Sequence, residues 1–443
     1  VIFIYDGTNG VILNRDIEIR DQVRFPTAPD VKAVMSELAE SGGTYLMLLY
    51  DIKKAHRRIP VRKEDWGRQA CQIRGSAAAS AQLRRLRRRR RSGEEPKEGR
   101  AEFQKLTLQD FTEEELSQDV YLNCVGTFGV TSAGYWWGRA GGAIIRVTHD
   151  VLGYDHAVWA LLYSDDGMVT SGSGQKEFSL LLHLLVLVLL RVPLSWRKVR
   201  GGVEAEWIGY WLDMPRFEVG ISELRAAWCA RWLGDKATEG RVALGELREG
   251  LGRLQFATGA VEYLRPILGP LYAWASAGPR FARPKLPVMV VLIMRYLSRE
   301  FAEIRAMPCQ KRAHFLGEVF RLDAKAEGDT VAVGGWRSAG GERAADAAWF
   351  SVSLTRKSAP WAFARGEPFR AIAALELLAS LLGLMLLVPE GDAAGDSSAV
   401  LILSCGTDKQ GNSFLLDRML TTVYPLGIVL MELAHQMRKR RLV

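Results

Sequence analysis

A chain of 443 residues, 48% hydrophobic and 25% charged, has room for two or three domains with sizeable cores, and its composition excludes a fibrous or wholly disordered protein. The formal charge of +9 points to a polyanionic partner, but seven arginines between Arg84 and Arg91 supply most of it, so a nucleic-acid site elsewhere must come from local arrangement. Five scattered cysteines (Cys71, Cys124, Cys229, Cys309, Cys405) form no CxxC pair, which argues against a disulfide framework or zinc ribbon; with no visible signal peptide, an intracellular protein of the cytoplasm or nucleus is expected, without a membrane partner.

Short β-like runs alternate with helical stretches over residues 1–215. Leu46–Asp51 is an apolar strand that ends in an acid. Residues 75–118 begin with Ala and Ser, pass through the arginine run and end Glu-rich around Glu113–Glu115. Such a block buries too little apolar surface to fold, so a disordered insertion is expected, with a phosphate-gripping basic arm as the alternative. A second apolar run, 158–167, closes on Asp165, Asp166 and a turn glycine, Gly167. His149 and His156, beside Asp150 and Asp155, have the composition of a metal site but are expected to be ordinary residues next to a helix. Residues 180–190, interrupted by His183, are too short to span a bilayer and read as a core helix. Helices dominate 216–318, where Leu244, Leu247, Leu251 and Leu254 recur at 3–4 spacing. From Phe320 the texture returns to strands (331–333, 349–354), followed by an apolar helix over 371–387 and a strand over 400–404.

Nucleotidyl transfer uses two metal ions a few ångströms apart, and carboxylates at the ends of adjacent strands suit Mg²⁺. Adjacent aspartates after a buried run repel one another and are costly to keep without a cation. Five motifs in order strengthen that reading: Asp51-Ile52-Lys53-Lys54-Ala55-His56, Phe128-Gly129-Val130-Thr131-Ser132-Ala133, Tyr163-Ser164-Asp165-Asp166, Pro193-Leu194-Ser195-Trp196-Arg197-Lys198 and Glu206-Trp207-Ile208-Gly209-Tyr210. Together they resemble the reverse transcriptases of retrotransposons, of the long-terminal-repeat or tyrosine-recombinase type.

The resemblance implies an α/β protein: an α+β fingers-and-palm polymerase over 1–215, a helical thumb and connection over 216–318, and a ribonuclease H-like α/β domain over 319–443. It implies that Asp51, Asp165 and Asp166 bind two Mg²⁺ ions, with Mn²⁺ as a substitute, and that Lys198 lies near the departing pyrophosphate. His56, Phe128, Gly129 and Tyr163 would lie by the nucleotide and template. The implied partners are an RNA template, a DNA primer, an RNA–DNA hybrid and deoxynucleoside triphosphates. His56 stands where the family carries the Phe or Tyr that excludes a ribose hydroxyl, which puts sugar selection in question. The stretch from Asp6 to Asn14 loosely resembles the fingers segment but carries no Lys or Arg before Arg15.

At the C-terminus, Asp323, Glu376 and Asp408 match three of the four acids of the ribonuclease H family. Glu376 is the one charged residue between Arg370 and Glu390, and an acid in so apolar a helix calls for a partner, here a metal. The fourth acid would follow Val443. With no initiating methionine either, a fragment with little or no ribonuclease H activity is expected. The rival readings are a decayed retroelement piece that only binds nucleic acid, and an RNA-dependent RNA polymerase, against which the ribonuclease H-like tail argues.

Overall fold

The computed structural model describes residues 14, 17–72, 120–127, 129–153, 156–172, 174–303, 306–309, 313–337, 344–364, 366–388, 400–406, 410–440 and 442. Phe128, Asp155, Asp408 and the insertion expected over 75–118 lie outside them. The protein mixes helix and sheet, 53% and 20%, and divides into two units. One comprises Val1–Phe25, Ile52–Val147 and Leu190–Leu194; the other comprises Pro26–Asp51, Thr148–Leu189 and Ser195–Val443.

In the larger unit, helix α1 (Ala28–Ser41) starts at Thr27, whose backbone N–H and hydroxyl both donate to the Asp30 carboxylate at 2.8 Å. That bond satisfies a donor the first turn leaves free. Val31, Met35 and Leu38 then fall on one buried face. Strand β1 is Leu46–Asp51, as its apolar run predicts. The smaller unit contributes the short antiparallel pair β2 (Ala70–Gln72) and β3 (Val120–Leu122) and the first part of helix α2 (Thr131–Leu152).

Strands β4 (Val158–Tyr163) and β5 (Asp166–Ser171) form a hairpin on Ser164-Asp165. Only the first loop residue, Ser164, has positive φ, at 54°, the pattern of a type II′ turn that glycine normally fills. Gly167 is therefore not the turn residue its sequence position suggests but part of β5. Helix α3 (Lys176–Leu189) follows, then β6 (Arg200–Gly202), giving an antiparallel sheet in the order β4-β5-β1-β6.

Helix α3 is only half the core helix expected. Ser179, Leu180, His183, Val186 and Leu187 are buried, while Phe178, Leu181, Leu185, Val188 and Leu189 are exposed. A second sheet, β10-β9-β8-β7, joins β7 (Glu204–Trp207), β8 (Tyr210–Asp213) and β9 (Glu218–Ile221) to β10 (Ala306–Pro308). Between β9 and β10 lie helices α4 (Glu223–Glu239), α5 (Leu244–Ala257), α6 (Leu268–Ala275) and α7 (Val288–Glu303). The four leucines of α5 are each 3% exposed or less, so their spacing does mark the core face.

From β11 (Ala313–Glu327) the chain builds a third sheet with β12 (Thr330–Arg337) and β13 (Ala348–Leu354). Helix α8 (Ile372–Leu387) packs on β11 and β12, and β14 (Val400–Gly406) returns parallel beside β11. The order is β13-β12-β11-β14, three antiparallel strands and one parallel. Helices α9 (Gln410–Arg418) and α10 (Leu426–Lys439) end the described chain. This region has its own hydrophobic core, with every buried member at or after Phe320.

Among the described residues one helical stretch, Pro368–Leu387, is long and apolar enough to cross a membrane, with mean hydropathy 1.9. More than half of it is buried inside the protein, against β11 and β12.

Candidate active site

Antiparallel pairing settles the geometry of the first acids. Asp51, the last residue of β1, is the Cα partner of Asp166, the first residue of β5. Directly opposed residues share a sheet face, so the two carboxylates project together although 115 positions separate them in the chain. Asp165 occupies the turn between β4 and Asp166, and its charge acts on both Asp166 and Lys198. All three acids predicted from sequence are thus neighbours, and Tyr163, 38% exposed, pairs with Asp166 at the hairpin end.

Lys198 comes to Asp51. Its Nζ donates to Asp51 Oδ2 at 2.6 Å, from the 3-10 turn Trp196–Lys198 that the Ser195 N–H anchors to the Asp51 carbonyl at 2.8 Å. Burial pushes the Asp51 carboxyl up, but hydrogen bonds from Lys198 and Ser195 with the Lys198 charge outweigh it and hold Asp51 below the usual range. Asp166 goes the other way. Burial raises it, the charges of Asp165 and Asp51 add to that, and Lys198 and Arg200 offset only part. The hydrogen bond to Asp51 raises Lys198 against a smaller burial effect, so its ammonium stays charged. At Asp166, burial and the two neighbouring carboxylates together outweigh the neighbouring cations.

An open cleft of about 440 Å³ lies over the acids, lined by Asp51, Asp166, Lys198, Arg200, Glu206 and Trp207 among others. Its far wall is the β7–β8 hairpin, where Trp207 pairs with Tyr210 and both loop residues, Ile208 and Gly209, have positive φ (46° and 91°). Glycine suits that conformation; a β-branched isoleucine is strained in it, at a cost on the order of 1–2 kcal/mol.

Beneath the acids is a support that the sequence did not reveal. Tyr50, one residue before Asp51, is the Cα partner of Gly167, one residue after Asp166. The Tyr50 ring lies close against that glycine: a Cβ built on Gly167 would come within 2.1 Å of the ring. Tyr50 Oη is 3.2 Å from His183 Nε2 of α3. Burial pushes the Tyr50 phenol far up and pulls His183 down to about 4, helped by nearby His149, so both are neutral near pH 7. The only sequence signal was a histidine interrupting an apolar run.

The remaining residues are distributed as follows. His56, in the 3-10 turn Ala55–Arg58, and Gly129, with φ 86°, lie in the smaller unit. Asn14 ties the Gly129 segment down, donating to the Gly129 carbonyl at 2.7 Å and accepting from Thr131 N–H at 2.9 Å. The His56 carbonyl would be only 2.5 Å from a Cβ on Gly126, so this turn and the start of α2 are closely fitted. His156 Nδ1 is hydrogen-bonded to Ser179 Oγ at 3.0 Å, in keeping with an ordinary structural histidine.

In the C-terminal sheet Asp323 is exposed on β11 and Glu376 is buried in α8 at 3% exposure. Gly383, two turns along α8 from Glu376, presses on Leu322 and Phe320. Asn412 of α9 donates to the Ala373 carbonyl at 3.2 Å, so α9 meets the first turn of α8. Asp408 follows β14 by two residues, outside the described residues.

Among the described residues, no three carboxylate, imidazole or thiol groups already form a metal cage. In the first site Lys198 holds Asp51 at 2.6 Å, and the charges of Asp165 and Asp51 both act on Asp166. Asp51, Asp165 and Asp166 are oxygen donors of the kind that could hold a hard divalent cation. No protein-family model matches the chain, and no curated protein matches it.

Proposed function

We propose that this chain is an RNA-directed DNA polymerase of a retrotransposon, extending a DNA primer with deoxynucleoside triphosphates, and that residues 319–443 are a ribonuclease H-like domain. The observation that carries the reading is the Asp51–Asp166 cross-strand pair, with Asp165 beside it and a cleft over them that Arg197, Lys198 and Arg200 also line. The five ordered motifs resembling reverse transcriptases support it. For the tail, the support is a mixed sheet whose Asp323 strand runs parallel to the strand leading to Asp408, with the Glu376 helix lying on it.

Mg²⁺ bound at these acids supplies positive charge to the attacking and departing oxygens. The chain's own residues do the rest. Asp51, Asp165 and Asp166 offer the oxygen ligands, and the register of β1 against β5 puts Asp51 and Asp166 on one face. Lys198 serves as counter-ion to Asp51, and its ammonium would be on hand to neutralise the departing pyrophosphate if a cation were held by that carboxylate. Arg197 and Arg200 line the same cleft and offer charge to primer or nucleotide phosphates.

The test is primer extension by the full chain on an RNA template in Mg²⁺. Deoxynucleotide addition that disappears in Asp166→Asn supports the proposal. Template–primer binding without extension overturns it in favour of a non-catalytic retroelement product, and ribonucleotide addition to an RNA primer favours an RNA polymerase.

A further inference from the structure

His183 is a buried polar residue that the reaction as derived does not use. It is fully buried in the middle of α3, between Leu182 and Leu184, and its Nδ1 has no hydrogen-bond partner among the described residues. Burying an imidazole with one nitrogen unsatisfied is costly, and a leucine would fit an otherwise apolar helix face at less cost. What His183 provides and leucine cannot is the hydrogen bond between its Nε2 and Tyr50 Oη.

The place of that bond gives it a role. In β1, Tyr50 points to the α3 side of the sheet and Asp51 to the opposite side; in β5, Gly167 and Asp166 do the same. The Tyr50 ring therefore lies on the back of the sheet, one residue from each acid on both strands, and bears directly on the Gly167 backbone. A one-residue slip between β1 and β5 would carry the acids apart or turn one to the helix side. Fixing the hydroxyl end of Tyr50 fixes where the ring meets Gly167, and so how closely Asp166 approaches Asp51.

We propose that His183 is a positioning residue for the cation-binding carboxylates, acting through Tyr50 and Gly167 to hold the spacing between Asp51 and Asp166. The inference rests on the polymerase reading for its kinetic consequence but not for its binding consequence, so two measurements are paired. The first is Mn²⁺ affinity of the full chain by electron paramagnetic resonance, with Asp166→Asn as the blank. The second is primer extension resolved into kcat, KM for the deoxynucleotide and the Mg²⁺ dependence.

Tyr50→Phe removes only the hydroxyl, His183→Leu removes its ring-nitrogen partner while keeping the apolar fill, and His183→Gln restores an amide at the position of Nε2. Tyr50→Phe and His183→Leu are expected to weaken Mn²⁺ binding and lower kcat at limiting Mg²⁺ by roughly threefold to tenfold, the loss of one neutral hydrogen bond read as a rate. KM for the deoxynucleotide stays unchanged. The double variant is no worse than either single one, because both cut the same bond, and His183→Gln recovers most of the loss.

Equal Mn²⁺ affinity in wild type and both single variants, all folded by circular dichroism, overturns the proposal and leaves His183 as core filling. Additive losses in the double variant also overturn it. Mn²⁺ binding by wild type without any primer extension overturns the polymerase reading alone, and the variant affinities still decide the role of His183. A wild-type chain that binds no Mn²⁺ overturns both.

Discussion

The two acid-bearing sheets of the larger unit hold their carboxylates by different means. In the first sheet Asp51 and Asp166 are directly opposed on neighbouring strands, so backbone hydrogen bonds set their spacing and a ring on the reverse side holds it. In the C-terminal sheet the acids come from separate kinds of element: Asp323 exposed on a strand, Glu376 buried in a helix. There the spacing depends on how α8 lies on β11 and β12. A ladder is specified locally and tolerates little; a strand–helix arrangement relies on side chains that can shift.

The largest test of that contrast is removal of the acids themselves. Asp51→Asn is expected to lower primer extension on the order of 10³-fold, the charge stabilisation of several kcal/mol that a divalent cation supplies. Asp323→Asn should leave extension unchanged and affect only hybrid cleavage. Equal loss of extension in both variants would break the separation between the sites.

Next come two glycines, Gly167 in β5 and Gly383 in α8, each close against a strand side chain. Gly167→Ala drives a Cβ into the Tyr50 ring at 2.1 Å, and overpacking a rigid ring should cost about 1–3 kcal/mol in chemical denaturation. Gly383→Ala meets the terminal methyl of Leu322 at 2.6 Å, which can rotate away, and should cost less than about 1 kcal/mol. A reversed order would show that the first sheet is the more compliant.

A smaller, pH-dependent effect separates the acids within the first site. Asp166 has a folded-state pKa above its usual value, so it weakens folding once pH rises past about 4, and that penalty disappears below. Asp51 is depressed, so its contribution is present above about 4 and fades as pH falls through its lowered value. In metal-free buffer Asp166→Asn should therefore raise Tm slightly at pH 7, with the gain shrinking on acidification, while Asp51→Asn lowers Tm at pH 7. Adding Mg²⁺ should raise Tm of the wild type but not of Asp166→Asn. The smallest effect is expected for Arg356→Ala. It breaks an exposed pair with Asp329 at 2.9 Å in the C-terminal sheet and should change stability by at most ~0.5 kcal/mol, since solvent screens such pairs.

Patterns local in the chain were legible before the structure. The strand Leu46–Asp51, the leucine face of α5 and the C-terminal helix and strands all follow from periodicity over a few residues. The contiguity of Asp165 and Asp166 was visible too, and their companionship with Asp51 came from motif order. What escaped depends on contacts across long separations. Tyr50 and His183 are 133 residues apart, and neither type announces a brace. Gly167 looks like a turn glycine because Ser164 takes the positive φ that glycine usually fills. Lys198 was expected at the phosphates by resemblance; its 2.6 Å bond to Asp51 is a tertiary contact no local pattern encodes. The exposed apolar side of α3 was hidden because its sequence is apolar all round, which gives no clue to the side that faces the sheet.

Helix α10 belongs to the C-terminal region, yet its Ala434 is a member of the core that otherwise ends at Cys309. Four residues on, Arg438 lies 4.0 Å over the Tyr263 ring and bonds Glu300 at 2.9 Å, and Glu300 in turn accepts from Tyr263 Oη at 3.2 Å. Heat therefore has no seam between these two cores to open first. A calorimetric scan of the larger unit should show one transition rather than two, and limited proteolysis should release no stable piece that stops near residue 318.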